Sequence, residues 1–435
     1  MSFRQVLNAR SLETLHIHQP ASRDFEISAV LKRLEPRPVI FENVQALSAK
    51  VAGNIFCSKK VLLEYYHLEN NEFLPWFQKA ISSPHPPSTT ESAPCQEIIL
   101  ENPALDLLPI LRHFESDGGA YITSGVMICK HPHYGQNMDF HRMMVFDKDK
   151  MAVRVVRGRH FDRYLSELRE MQVAVCIGVS PNVLLAAATS VEIGVDELGI
   201  ANALAPLQVT KALTSDLYIP AEAEFVIEGK VRLDERHPEG PFVDLTETLD
   251  IVRIEPVMTV ELISHRKDPI WHALLPGGLE HKLLMGLPRE PTIFQKVNQV
   301  VRCLDVSINP GGCSWLHAIV RIQKANEEDG KKAILAAFEG HSSLKHVFVV
   351  DQDINIYDPL EVEWAMATRF QADRDLVILP RKPGSSLDPS AEGESHLTTR
   401  VGFDLTAPFH IHGKSFQRVQ FPAINLDRWI KPNGS

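Results

Sequence analysis

Two carboxylates stand five residues apart in the sequence HPEGPFVD, at Glu239 and Asp244, with a Gly-Pro pair between them. They follow a strand-like run, 225–233, so we expect the turn to place them at the edge of a sheet. Carboxyl groups held close together have pKa values that move apart, which suits proton transfer. A solvated turn is the competing interpretation, and this octapeptide alone favours it, because Asp, Gly and Pro are common in turns.

A basic residue and three types of metal ligand stand elsewhere in the chain. The segment QNMDFHRMMVFD supplies Asn137 and Arg142, and an Arg near two acids can hold a carboxylate or phosphate by two parallel hydrogen bonds. His160 follows a Gly turn in VVRGRHF, and Glu197 lies in VEIGVDEL. Asn, His and Glu form a mixed set that suits Mn²⁺ or Mg²⁺. Taken singly, a surface Arg and a structural His are the more common interpretations.

Other motifs give little support for a different chemistry. The histidines of HPH (131–133) and HIH (410–412) have no supporting cysteine, so we do not predict a zinc site. The chain contains no GxGxxG before a helix, no P-loop and no Gly-x-Ser-x-Gly elbow. The Gly-rich PGGCSWLHA (310–318) predicts a turn before a strand, or a place where backbone approaches a bound ring.

Composition bounds the classes of protein that the chain can be. The 435 residues are 44% hydrophobic and 23% charged, which is typical of a globular protein. A net charge of −10 argues against nucleic acid or an anionic membrane surface as the main partner. We expect neither a membrane span nor a secretory signal, since no apolar run is long enough. Six scattered cysteines predict reduced thiols and a cytoplasmic location.

The order of elements predicts three domains: α/β at 1–104, β-rich at 105–300 and α/β at 301–435. The Pro- and Ser-rich segment 82–94 is the clearest linker. Residues 26–34 have helical spacing, and the middle of the chain predicts an antiparallel sheet or barrel. Its expected strands are 121–130, 141–147, 151–158, 224–233, 250–257 and 258–266, with a helix at 162–172. Later strands are expected at 316–322 and 346–351, and helices at 331–339 and 360–371.

Several segments together resemble the UbiD family of decarboxylases, which use prenylated FMN. The resemblance covers nearly the whole chain and implies a central split β-barrel like that of flavin reductases, between two α/β domains. The C-terminal domain would form a homodimer or homohexamer. The segments are LPILRHFESDGGAYIT (108–123), NMDFHR (137–142), GRH (158–160), GVDE (194–197), EGPFVD (239–244), LPGGLEHKLLMGLPRE (275–290), NPGGCSWLHA (309–318), VVDQDINIYDPLEVEWAMATR (349–369) and TRVGFD (399–404).

The resemblance also implies roles for the residues above. In the family, an Arg and two acids form a catalytic network, which here would be Arg142, Glu239 and Asp244. The cofactor acts as an azomethine ylide that bonds to the substrate carbon and takes up charge as CO₂ leaves. Arg142 would keep Glu239 ionised, and Asp244 would donate the proton. The metal that clamps the cofactor phosphate would be held by Asn137, His160 and Glu197, and a K⁺ ion would lie near Ala188 and Thr189.

Four positions depart from many relatives. Arg159 replaces a Gln and Arg400 replaces a Lys, and both are predicted to contact the cofactor. Ser307 and Trp315 stand where relatives acting on furan dicarboxylates carry His and Arg. With Asn309 they form the predicted substrate pocket, for an aromatic, heteroaromatic or α,β-unsaturated acid with a single carboxylate. Packing of Trp315 in the core is the alternative interpretation.

The resemblance therefore predicts a carboxy-lyase whose substrate is a small carboxylic acid and whose cofactor comes from a flavin prenyltransferase. Two alternatives stay open. One is an FMN-dependent flavin reductase, and the other is a non-catalytic subunit of a multi-subunit carboxylase.

Overall fold

A computed structural model describes residues 2–8, 14–45, 48–419, 421–425 and 429. The outer ends of the predicted ranges 1–104 and 301–435, residues 1 and 430–435, lie outside the described residues. A helix at 26–34 is confirmed, with its apolar residues buried on one face. The first elements are α1 (Phe3–Leu7), β1 (Leu15–Ile17), α2 (Glu26–Leu34), β2 (Val39–Phe41), β3 (Lys50–Gly53), α3 (Lys59–Tyr66) and α4 (Asn70–Ser82).

The middle of the chain forms a curled half-barrel sheet, which confirms the antiparallel sheet and split-barrel prediction. The elements of this region, inside and outside that sheet, are β4 (Ser88–Thr89), β5 (Ile98–Leu100), β6 (Ala120–Ile122), β7 (Val126–His131), β8 (Gly135–Phe140), β9 (Met143–Val145), β10 (Lys150–Val153), α5 (His160–Leu168), β11 (Glu170–Ile177), α6 (Pro181–Ala187), α7 (Glu197–Leu204), β12 (Gln208–Lys211), β13 (Tyr218–Pro220), β14 (Phe225–Glu239), β15 (Phe242–Val243), β16 (Leu249–Asp250), β17 (Arg253–His265) and β18 (Ile270–His272).

Strand order in this sheet is β6-β9-β10-β17-β14-β11-β7-β8, with β5 added beside β17. Two predicted strands, 250–257 and 258–266, are the single strand β17, which runs through Pro256. The pairing of β14 with β17 is irregular near this proline, so the missing N–H is tolerated. The predicted helix at 162–172 ends at Leu168, because Arg169 has a φ of 69° and β11 begins directly afterwards.

The last third of the chain is an α/β layer around a second sheet. Strand order is β19-β20-β21-β23-β22, with parallel pairing at its centre and antiparallel pairing at both edges. The elements are α8 (Leu279–Gly286), α9 (Glu290–Asn298), β19 (Cys303–Ser307), β20 (His317–Ile322), α10 (Asp329–Gly340), β21 (His346–Val350), α11 (Pro359–Arg369), α12 (Ala372–Asp375), β22 (Leu376–Pro383) and β23 (Leu397–Asp404).

The three regions share strands and core. Strand β18 pairs in parallel with β3 and so completes a four-stranded sheet with β1, β2 and β3. One continuous apolar cluster includes Phe3, Phe56, Val183, Val306 and Val347, which come from all three regions. Within the described ranges, the helices are too short or too polar to span a bilayer.

Candidate active site

Arg142, Glu239 and Asp244 lie together in the structure. Arg142 directly precedes β9, and Glu239 is the last residue of β14. The guanidinium binds Glu239 through two parallel hydrogen bonds, from Nε to Oε1 at 2.9 Å and from Nη2 to Oε2 at 3.0 Å. Its Nη1 donates to Oδ2 of Asp244 at 2.5 Å. One planar cation therefore orients two carboxylates at once.

Sequence reasoning missed two further members of this network, Asp250 and Tyr121. Nη2 of Arg142 also donates to Oδ2 of Asp250 at 2.8 Å. The hydroxyl of Tyr121 donates to Oε1 of Glu239 at 3.1 Å. The chain carries 55 acidic residues, and nothing in the spacing of Asp250 distinguishes it from the others.

The turn after β14 brings these acids together. Gly240 adopts a φ of 103°, and a Cβ there would lie 2.9 Å from the carbonyl oxygen of Ile251, so only glycine fits comfortably. The chain then forms the short β15–β16 hairpin, in which Phe242 lies opposite Asp250. The ring of Phe242 packs 4.7 Å from the guanidinium of Arg142.

Burial and charge set the protonation of the network. Glu239 is completely buried and Arg142 nearly so, whereas the side chain of Asp244 is 16% exposed. Burial alone would lower the pKa of Arg142, but the hydrogen bond and charge of Glu239, with the other acids, raise it. Burial, aided by the charge of Glu239, raises the pKa of Tyr121, so the phenol stays protonated and donates. Of the two predicted acids, Glu239 and Asp244, it is Asp244 whose side chain solvent can reach.

Asp250 is ionised by its two guanidinium partners. It accepts a hydrogen bond from Nη1 of Arg253 at 2.6 Å as well as the one from Arg142. Burial raises the pKa of Asp250, but the hydrogen bond from Arg253 and the charge of Arg142 outweigh burial and the net shift is downward. Asp250 therefore carries a negative charge at neutral pH.

Asn137, His160 and Glu197 form a second group. Oδ1 of Asn137 lies 3.1 Å from Nδ1 of His160, and Oε2 of Glu197 accepts the backbone N–H of Met138 at 2.9 Å. Burial raises the pKa of Glu197, and no cationic side chain in the described ranges pairs with this carboxylate. A separation of about 3 Å is also that of neighbouring ligands around an octahedral Mg²⁺ or Mn²⁺ ion. The donor atoms, with a buried carboxyl group that has no cationic partner among the described residues, fit a divalent cation.

One of the three predicted metal ligands is an amide, that of Asn137. No three acidic, His or Cys side chains in the part of the chain that the structure describes are arranged to hold a metal. The predicted set contains an Asn amide in place of a third such residue. Two histidines of the ranges 131–133 and 410–412 have other partners: Nδ1 of His131 accepts from the N–H of His133 at 3.1 Å, and His410 pairs with Glu327 at 2.5 Å.

The other predicted cofactor and K⁺ residues have contacts of their own. Arg159 is exposed and precedes α5, next to His160. Nη2 of Arg400 donates to the backbone oxygens of Ser342 and Pro383, at 2.6 and 2.8 Å. The hydroxyl of Thr189 donates to the carbonyl of Leu185 at 2.8 Å, beside the buried Ala188.

The predicted pocket residues are mostly buried. Ser307 ends β19, and Oδ1 of Asn309 accepts the N–H of Gly312 at 2.8 Å, which shapes the following turn. Trp315 is 7% exposed, packs with Leu245 and donates from Nε1 to Oγ of Ser385 at 3.1 Å. Leu245 follows Asp244, so the indole lies one side chain away from the acid network. Whether these residues contact a substrate stays a prediction.

Family models match three parts of the chain. They are the N-terminal, Rift-related and C-terminal domains of 3-octaprenyl-4-hydroxybenzoate carboxy-lyase, named UbiD, at residues 10–75, 88–279 and 282–405. A relative from Methanocaldococcus jannaschii, called anhydromevalonate phosphate decarboxylase, is 43% identical over 410 residues, or 92% of this chain and 96% of the relative.

Two solved structures have the same fold. The UbiD-class enzyme HmfF from Pelotomaculum thermopropionicum in complex with FMN has a TM-score of 0.94 and 34% identity, and the match covers 99% of this chain and 100% of that one. An evolved dimeric form of the same enzyme in complex with prFMN has a TM-score of 0.90 and 32% identity, with 99% and 100% covered.

Proposed function

The chain belongs to the UbiD family of carboxy-lyases, and we propose that it removes CO₂ from a phosphorylated α,β-unsaturated carboxylic acid with prFMN as its cofactor. The observation that carries the proposal is the network in which Arg142 joins Glu239 to Asp244. The name of the Methanocaldococcus relative supports a phosphorylated substrate, and the HmfF complex supports the cofactor. An aromatic or heteroaromatic acid is the second candidate, because the indole of Trp315 packs with Leu245, which follows Asp244 in the chain.

Each residue of the network has a distinct task in this proposal. When bound, prFMN supplies an electron sink for the charge left on carbon as CO₂ departs. Arg142 fixes Glu239 in one orientation, and the hydroxyl of Tyr121 keeps Oε1 of Glu239 from rotating. Asp244 donates the proton to carbon, since its side chain, unlike that of Glu239, is partly exposed and can regain a proton from solvent.

The second group of residues would hold the cofactor. Asn137, His160 and Glu197 would bind Mn²⁺ or Mg²⁺, and the cation would bind the phosphate of the cofactor. Arg159 and Arg400 add positive charge near that phosphate, and K⁺ would bind near Ala188 and Thr189. A flavin prenyltransferase supplies the cofactor, and the active protein is a homodimer or homohexamer. The cytoplasmic location stays a prediction.

The test is turnover by protein that is fully loaded with cofactor. The protein is co-expressed with a flavin prenyltransferase, and CO₂ release is measured over anhydromevalonate phosphate, its unphosphorylated counterpart, and aryl and heteroaryl acids. Glu239→Gln should reduce kcat by about 10²- to 10⁴-fold while the cofactor content stays unchanged. Glu261→Gln, which removes an acid from the neighbouring strand β17, is the matched control and should behave like the wild type.

Other results would favour the alternatives. NADH oxidation without release of CO₂ would indicate a flavin reductase. Purification as an obligate complex with a second, active subunit would indicate a non-catalytic role. Loaded protein that turns over no acid in the panel would contradict the proposal.

A further inference from the structure

Arg289 is a buried cation without a carboxylate partner among the described residues. It lies in the one-turn 3₁₀ helix Leu287–Arg289 between α8 and α9, and it is 8% exposed. Nη1 donates to the hydroxyl of Ser190, and Nε is buried without an acceptor. An isolated buried charge is costly unless something compensates it. Arg369 shows the usual solution in this chain, because it is also buried but pairs with Asp351 and Asp353.

Among the described residues, Arg159 adds positive charge near Arg289, and no carboxylate pairs with Arg289. The guanidinium of Arg289 lies 5.0 Å from the ring of Trp315, and the ring of His341 packs against the same indole at 4.5 Å. His341 is 6% exposed, and its Nε2 is also buried without a partner. Burial lowers the pKa of Arg289, and the nearby charge of Arg159 lowers it further. An anion bound at Arg289 would compensate its buried charge.

The position of this group relates it to the acid network. The guanidinium of Arg289 packs over the ring of Trp315. Trp315 packs with Leu245, and Leu245 follows Asp244 in the chain. Arg159, whose charge acts on Arg289, directly precedes His160. Arg289 is therefore connected through Trp315 and Leu245 to the residue proposed to protonate carbon. A substrate whose reacting carbon is at Asp244 would reach Arg289 by extending past Trp315.

We infer that Arg289 binds a second anionic group of the substrate, a phosphomonoester remote from the carboxylate that is lost. The inference rests on the proposed function. Guanidinium groups match the spaced oxygens of phosphate better than ammonium groups do, because each presents two parallel N–H donors. The unpaired Nε of Arg289 supplies one such donor.

The experiment compares a phosphorylated unsaturated acid with its dephosphorylated counterpart. Arg289→Gln should lower kcat/KM for the phosphorylated acid by about 10- to 100-fold, the effect of losing one charged hydrogen-bonded contact. For the dephosphorylated acid kcat/KM should not change, and the cofactor content should equal that of the wild type. Arg289→Lys should restore part of the loss, because it keeps the charge but not the two parallel donors.

A matched control separates the effect from a general loss of positive charge. Arg163 also packs over an aromatic ring, that of Tyr134 at 4.7 Å, but it is exposed and paired with Glu167. Arg163→Gln should leave the ratio of kcat/KM for the two acids unchanged. Affinity is measured in addition by calorimetric titration of FMN-loaded protein with the phosphorylated acid, which requires no turnover.

The outcomes separate this inference from the proposed function. An equal loss for both acids, or a loss of cofactor from Arg289→Gln, would overturn the anion site and leave the decarboxylase proposal intact. If the wild type turns over neither acid, the titration decides: weaker binding by Arg289→Gln supports the anion site. Equal affinity of wild type and variant, or no binding by the wild type, overturns it.

Discussion

Arg142→Met removes one cation from three carboxylates at once while it keeps most of the side-chain volume. In the wild type the guanidinium donates to Glu239, Asp244 and Asp250 through hydrogen bonds of 2.5 to 3.0 Å. Glu239 is fully buried, and Tyr121 is its other side-chain donor among the described residues. We therefore expect the variant to lose CO₂ release and also to lose stability.

The size of the stability loss follows from burial. Breaking a buried ion pair by removing one partner costs about 3–5 kcal/mol, because the remaining charge is left without compensation. Met fills similar space, so little of this loss is due to a cavity. Arg266 is a less buried control that pairs with Glu222 and, more distantly, Glu224. Arg266→Met should cost about 1 kcal/mol and should leave CO₂ release unchanged.

The pH dependence has a definite sign. The folded state lowers the pKa of Asp250, through Arg253 and Arg142 acting against burial, so this carboxylate stabilises the wild type above the pKa of the unfolded chain. That contribution is lost as the pH falls through the lowered value. The variant lacks part of it, so the difference between wild type and variant should be largest above about pH 5 and should narrow below about pH 4.

Urea unfolding of the cofactor-free proteins, followed by tryptophan fluorescence over this pH range, measures the difference. A loss below about 1 kcal/mol that does not depend on pH would refute the reasoning. It would mean that the three carboxylates are not held in place by this guanidinium.

The other predictions concern single contacts of the two groups. Tyr121→Phe removes the donor to Glu239 and should lower kcat about tenfold with normal cofactor content; an unchanged kcat in steady-state assays would exclude a role for the hydroxyl. Asp250→Asn should reduce kcat less than Glu239→Gln does, because Arg142 keeps its other two carboxylates; a larger reduction would contradict this order. His160→Ala should lose divalent metal and flavin together, measured by elemental analysis and absorbance; purification with both still bound would count against the metal site.

Strand β14 shows how much of the fold the residue pattern carries. The apolar residues of 225–233 predict a strand, but the polar sequence that follows gives no reason to extend it. In the structure the strand continues to Glu239, because its backbone pairs with β17 and its side chains alternate between partly buried and exposed. Backbone pairing of this kind depends on a distant segment, and the local pattern does not encode it.

The candidate site was likewise predictable from the sequence only in part. Spacing alone left Glu239 and Asp244 as a solvated turn, and the family resemblance, carried by several long segments, joined them to Arg142. Asp250 was missed because its position depends on the pairing of β15 with β16, which are two residues long each. Tyr121 was missed because a buried tyrosine is ordinary, and only the folded chain shows where its hydroxyl points.

The parallel pairing of β18 with β3 has a consequence for synthesis of the chain. Residues 50–53 leave the ribosome long before residues 270–272, so the N-terminal sheet has an open edge while most of the central region is being made. Closing so long a loop is entropically costly and makes pairing slow. The edge is most exposed to wrong partners in this interval, so nascent chains that stall before residue 270 should be the form of this protein most prone to aggregate.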